Sequence, residues 1–203
     1  MQLYCMPRQQ SMRPMHTFAD PLQRALQVAG DRPAIISEGR KLTYRELTSR
    51  CRRLASVLQR AGASPGDRIA ILAANSHHYL EAYVAIPAAG FVIVPLNTRH
   101  AEPELRYAIE DAGAKVLLTD RDPLAFRQLV DTVIEIPAEL DNLIEAANEV
   151  ELGQGITEDS LAGLFYTGGT TGASKGVMLT HRNLIANTFH FMTMAPPDRD
   201  SVF

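Results

Sequence analysis

Residues 167–176, TGGTTGASKG, place four glycines, three threonines, one serine and one lysine in ten consecutive positions. Glycines at 168, 169 and 172 let the backbone curl until successive N–H groups point inward, a concavity suited to an anion. Thr167, Thr170, Thr171 and Ser174 add hydroxyl donors. Lys175 brings a positive charge on a long stem, able to meet a phosphate as a point charge. Many donors, close backbone approach and charge neutralisation are together what a pyrophosphate or triphosphate needs. The candidate phosphate-binding residues are therefore Thr167, Gly168, Gly169, Thr170, Thr171, Gly172, Ser174 and Lys175. A purely structural turn would use the glycines but has no need of three threonines and a lysine.

Two familiar phosphate loops fail on spacing. The Walker loop requires G-x-x-x-x-G-K-S/T, yet Ser174 precedes Lys175 and Gly176 follows it. The dinucleotide fingerprint requires G-x-G-x-x-G, which Gly168, Gly169 and Gly172 do not satisfy.

Around the loop, LAGLFY (161–166) and VMLT (177–180) read as strands, and Thr180 as the cap of a helix through Leu184, Ile185 and Phe189. Upstream, Asp20 and Pro21 open a helix whose Leu22, Ala25, Leu26 and Ala29 share one face before Gly30. PAIISEGRKLTY predicts a hairpin about Glu38 and Gly39. Thr43 with Glu46 is a capping box, opening a helix on which Leu47, Cys51, Leu54 and Leu58 recur at helical spacing, with Gly62 at its end. RIAIL (68–72), FVIVPL, KVLLTD and TVIEIP are strands of the buried type. Between them lie a helix over SHHYLEAYVAIPAAG, kinked or ended near Pro87, one from Pro103 to Gly113, and a further helix before TVIEIP. An acidic helical stretch then runs to about Val150. Repeated β-α-β at this pitch predicts a mainly parallel α/β sheet flanked by helices.

Several residues receive unremarkable readings. Cys51 lies on the apolar stripe and reads as core rather than nucleophile. Arg50, Arg52, Arg53 and Arg60 read as a solvated helix face. His77 and His78 have no Cys, His or carboxylate at metal spacing along the chain and read as surface or partly buried histidines, so no metal ligand is assigned.

The 203 residues are 46% apolar and 21% charged, the balance of a globular protein with a real core. A net charge of −3 argues against a general nucleic-acid binder. It conceals an asymmetry: +7 over residues 1–68, −11 over 69–165 and +1 over 166–203. Cys5 and Cys51 form no metal or redox spacing, which points to a reducing, cytoplasmic compartment. The longest apolar run, Tyr83 to Leu96, is broken by Pro87 and Pro95 and too short to span a bilayer. Residues 1–15, with methionines at 1, 6, 12 and 15, lack a secretory h-region and read as a disordered tail or a start assigned too far upstream.

Tyr166 to Val177 closely resembles the phosphate-loop signature of the adenylate-forming, or AMP-binding, enzymes, Y/F-T-S-G-T-T-G-x-P-K-G-V. Gly168 replaces the usual serine, losing one hydroxyl, and Ser174 replaces the usual proline, expected to free the loop before its lysine. LTYRELTSRCRRLASVLQRAGASPGDRIAIL, GFVIVPLNTRHAEPELRYAIEDAGAKVLLTD and LTHRNL are similar to further landmarks of the family, in the right order. The family includes acyl-CoA synthetases, peptide-synthetase adenylation domains and beetle luciferases.

The resemblance implies that residues 16–203 are the incomplete N-terminal part of the large domain of an ATP-dependent acid–thiol ligase. A carboxylic acid, fatty or otherwise hydrophobic, would attack the α-phosphate of ATP to give acyl-adenylate and pyrophosphate, and coenzyme A would then take the acyl group. Thr167 to Lys175 would hold the leaving phosphates, making Lys175 the candidate catalytic residue. Mg2+ would share that work through a carboxylate that the resemblance places beyond this chain. The adenine and ribose sites and the small C-terminal domain would also be missing, so the chain alone is expected to be inactive, with open strand edges and an incompletely covered closing helix. Two alternatives stand beside this reading: a partner-dependent nucleotide-phosphate-binding remnant, and a piece of a peptide-synthetase adenylation domain.

Overall fold

The structure, a computed structural model, describes residues 17–37, 39–168 and 174–196. The predicted tail, Glu38 and the tip of the glycine-rich loop lie outside the described residues. Six helices are present among them: α1 Ala19–Ala29, α2 Tyr44–Arg60, α3 His77–Ala88, α4 Glu102–Ala112, α5 Ala138–Glu145 and α6 His181–Met194. The strands are β1 Pro33–Ser37, β2 Arg40–Thr43, β3 Arg68–Leu72, β4 Val92–Pro95, β5 Ala114–Thr119, β6 Thr132–Glu135, β7 Leu161–Thr167 and β8 Lys175–Thr180. β1 and β2 form a separate antiparallel hairpin. The other six make one sheet in the order β6-β5-β3-β4-β7-β8, parallel throughout except for the antiparallel edge strand β8.

Alternation along the central strands fills two cores. Ile69 and Ile71 of β3 join Val116 and Leu118 of β5 on one face, packed with Leu54 and Leu58 of α2, Ile86 of α3 and Leu140 of α5. Ala70, Leu72 and Leu117 point to the other face, against Leu105 and Ile109 of α4. Both faces are covered, which is why these strands read as unbroken apolar runs rather than as an alternating pattern.

Local signals place the helix starts. Thr43 accepts the Glu46 N–H while the Glu46 carboxylate accepts that of Thr43 at 2.7 Å, the predicted capping box. Ser76 caps α3, and Thr180 with Asn183 caps α6. Cys51, Leu54 and Leu58 are fully buried, as the stripe on α2 predicts.

Two predicted helices differ. Before β6 there is only a three-residue 3₁₀ turn, Pro123–Ala125, because the Asp122 carboxylate takes the Leu124 N–H at 2.9 Å and closes the chain locally. The acidic helix α5 stops at Glu145 instead of running to Val150. Arg53 donates to the carbonyls of Glu145 and Ala147, both at 3.2 Å, and so terminates it.

Candidate functional site

The glycine-rich loop closes the β7–β8 hairpin at the carboxyl end of a parallel strand, the edge of an open α/β sheet where ligands bind. β7 lies close beside β4 because residue 163 is glycine: a Cβ there would stand 3.1 Å from an Ile93 side-chain carbon and 2.6 Å from the Phe165 ring. Thr167 faces Lys175 across the neck. One pair back, Tyr166 faces Gly176, where a Cβ would press on the tyrosine ring at 3.2 Å. The Tyr166 hydroxyl donates to Asp111 of α4 at 2.6 Å, so the phenol ties the neck to the neighbouring helix. Burial, then the Asp111 bond, raises the tyrosine pKa and keeps the hydroxyl protonated as that donor.

Of the eight predicted phosphate-binding residues, Thr167, Gly168, Ser174 and Lys175 are brought together at this neck. Gly169, Thr170, Thr171 and Gly172 lie outside the described residues. Thr167, Gly168 and Lys175 are exposed. Among the described residues no carboxylate pairs with the Lys175 ammonium group. The strand begins two residues earlier than VMLT, which puts the lysine on the rigid first residue of β8 rather than on the loop. Ser174 corrects an expectation. Its hydroxyl donates to the Thr167 carbonyl at 2.6 Å, so the residue that replaces proline does not free the loop but cross-links its neck.

A second polar cluster was not legible along the chain. Arg50 is buried rather than solvated: it forks onto Glu81 of α3 at 2.6 and 3.0 Å and donates to Asp141 of α5 at 2.6 Å. Burial raises the fully buried Glu81 carboxyl above its ordinary range, against the opposing pull of Arg50. Burial acts in the same direction on Asp141, but Arg50 and His78 hold that carboxyl below its ordinary range. Arg52 and Arg53 also turn toward acidic or carbonyl partners around residues 145–149, leaving Arg60 as the exposed member of the predicted face. His77 and His78 are likewise buried, and Asp141 stands beside them. Sequence spacing could not show this, because 63 residues separate His78 from Asp141. Burial first, then the neighbouring positive charges, lowers His77 to about 4 and keeps its imidazole neutral.

Apolar surface is concentrated at the far edge. Val177 and Met178 of β8 and Phe189, Phe191, Met192 and Met194 of α6 are exposed, while Leu184 and Ile185 are half-buried. No helix among the described residues is long and apolar enough to cross a membrane.

Comparison with known proteins adds an independent line. The family model described as AMP-binding enzyme matches residues 22–203. A feruloyl-CoA synthase from Amycolatopsis sp. is 39% identical over 170 residues, covering 82% of this chain and 34% of that protein. Surfactin synthase subunit 1 from Bacillus subtilis is 33% identical over 177 residues, covering 86% of this chain and 5% of its own. The structure of o-succinylbenzoate CoA synthetase from Bacillus subtilis, in complex with its acyl-adenylate intermediate, superposes with a TM-score of 0.79 at 30% identity, covering 88% of this chain and 46% of that one. The chain thus spans about a third of the length of the feruloyl-CoA synthase.

Proposed function

Because this chain belongs to the AMP-binding enzyme family, we propose that its glycine-rich hairpin is the phosphate cradle of an ATP-dependent acid–thiol ligase acting on a hydrophobic carboxylic acid. The observation that carries this reading is the neck itself. Thr167, Gly168, Ser174 and Lys175 converge at the carboxyl edge of a parallel sheet, held by the Ser174–Thr167 and Tyr166–Asp111 bonds.

In the proposed reaction a carboxylate oxygen attacks the α-phosphorus of ATP, the bond to the bridging oxygen of the β-phosphate breaks, and pyrophosphate leaves with the electron pair. Negative charge grows on that leaving group, and donors already in place for it lower the barrier without reorganising. Lys175, fixed at the start of β8, meets that charge. The Thr167 hydroxyl and the backbone N–H groups of the loop, with Gly169, Thr170, Thr171 and Gly172, complete the donor set. The thiol of coenzyme A then attacks the acyl carbonyl and AMP departs. Bound magnesium supplies further charge neutralisation on the phosphates. Asp111, the carboxylate at the neck, is engaged by Tyr166 and is not a fitting ligand for it, and no metal ligand is assigned in the cradle. A hydrophobic acid is favoured because the feruloyl-CoA synthase among the relatives is named for an aromatic one.

Carboxylate-dependent exchange of pyrophosphate into ATP, measured on the protein carrying this chain, tests the assignment. Lys175→Ala is expected to slow the exchange by roughly ten- to a thousandfold, the range for losing one charge-stabilising donor. An unchanged exchange rate in that variant would remove Lys175 from the mechanism.

A further inference from the structure

The His77, His78 and Asp141 cluster lies apart from the phosphate cradle, and no step above uses it. We propose that it binds a transition-metal dication of the zinc class, which takes the place now held by the guanidinium of Arg40. Two imidazoles and one carboxylate are a zinc donor set, with a water completing four-coordination. One donor atom from each residue lies within 4.8 Å of the others. His78 Nε2 and Asp141 Oδ2 are 3.1 Å apart, close to the ~3.3 Å that separates two ligands of one tetrahedral zinc ion. His78 is 4% exposed, and its Nε2 has that carboxylate oxygen as its polar partner. A metal ion held by both groups would replace this direct contact with two coordination bonds.

A cation already occupies this space. Arg40 Nη1 stands 3.1 Å from His77 Nε2 and 3.9 Å from Asp141 Oδ2. A guanidinium only donates, so His77 Nε2 is the unprotonated nitrogen, as coordination requires. The 38° tilt between the stacked rings keeps their planes from running parallel. Arg50 holds the other Asp141 oxygen at 2.6 Å, orienting the carboxylate so that Oδ2 faces the histidines. The Arg40 side chain is 41% exposed and can swing into solvent. Its departure leaves Arg50, Glu81 and Asp141 with one net negative charge, and a dication meets that charge. Metal binding would clip the start of α3 to α5 and release the β1–β2 hairpin from its Arg40 tether.

The test uses the protein carrying this chain, tag-free and stripped of metal, titrated with Zn2+ while its unfolding midpoint is followed, and with Co2+ while the visible bands of tetrahedral cobalt are followed. Saturable binding is expected, with the midpoint raised by roughly 5–10 °C at a hundredfold excess of Zn2+ over Kd. H78Q and D141N should weaken binding by at least about tenfold, the loss typical of removing even an outer-shell partner. Arg40→Ala, which deletes the competing cation and no ligand, should tighten it. If H78Q or D141N fails to fold, as judged by circular dichroism, the Arg40→Ala comparison decides. Absence of saturable binding in both the wild type and Arg40→Ala overturns the proposal, and so does binding that survives H78Q and D141N unchanged.

Discussion

Ser174 occupies a position where the resembling signature carries proline, and the two residues stiffen the same point by different means. Proline fixes φ before the lysine; Ser174 instead spans the neck with a 2.6 Å bond to the Thr167 carbonyl. Ser174→Ala should therefore loosen the approach of Lys175 and weaken ATP binding severalfold, while Ser174→Pro restores most of it. Equal affinities in all three proteins, measured by titration with a fluorescent ATP analogue, would show that the neck needs no lock. Gly168 differs from the signature less consequentially, because a Cβ built there meets nothing within 4 Å among the described residues. At this scale the sequence was informative wherever chemistry and spacing are local. The proposed cradle residues are neighbours along the chain, so their types alone were enough to raise the reading of an anion site. The Ser174 lock was not visible, since a hydroxyl seven residues from its acceptor looks like any other loop donor until the strands are paired.

Helix starts were legible for the same local reason: Thr43 with Glu46, and Thr180, bond their own first turns. The buried bridge joining three helices was not, because Arg50, Glu81 and Asp141 come from α2, α3 and α5; helical spacing sets Arg50 beside the apolar stripe, three residues after Leu47 and four before Leu54, but nothing along the chain names its partners. Breaking that bridge from one side leaves a charge buried without its partner. Arg50→Ala should cost about 3–5 kcal/mol, and Arg50→Met with Glu81→Leu should recover much of the loss, both read from urea unfolding. Additive losses in the double variant would show that the pair is not coupled. His181 at the start of α6 carries a different dependence. Its fully buried ring accepts the Phe18 N–H at Nδ1, 3.2 Å away, so Nε2 carries the proton, and burial lowers its pKa from the ordinary 6.5. Below that value the unfolded chain binds a proton that the folded chain refuses. Stability is therefore expected to fall as pH drops through 6.5 toward the lowered native value. Melting midpoints across that range should fall less steeply in His181→Gln; parallel slopes in the two proteins would dismiss the ring as a source of acid sensitivity.

For the whole molecule, alternating apolar strands and helices were enough to read a parallel α/β sheet, because burial on both faces leaves its mark on every central strand. What they could not show was where the apolar surface stays exposed. The resemblance led to the expectation of an open edge, and the structure locates it on β8 and α6. Met178 is 69% exposed, Phe191 55% and Met194 87%, and β8 is an edge strand with one neighbour among the described residues. Isolated exposed methionines and phenylalanines are ordinary, but six large apolar side chains on an edge strand and the helix beside it form the kind of surface that drives association. The chain expressed alone should consequently self-associate at micromolar concentration. Replacing Met178 with Lys and Phe189 with Glu, neither of them in the cradle, should shift light-scattering mass toward the monomer. Those substitutions leave Ser174 and Lys175 in place, so the neck of the hairpin should be unaltered in the dispersed variant. A wild-type chain that is monodisperse and monomeric would mean that this surface is too weakly adhesive to act without another partner.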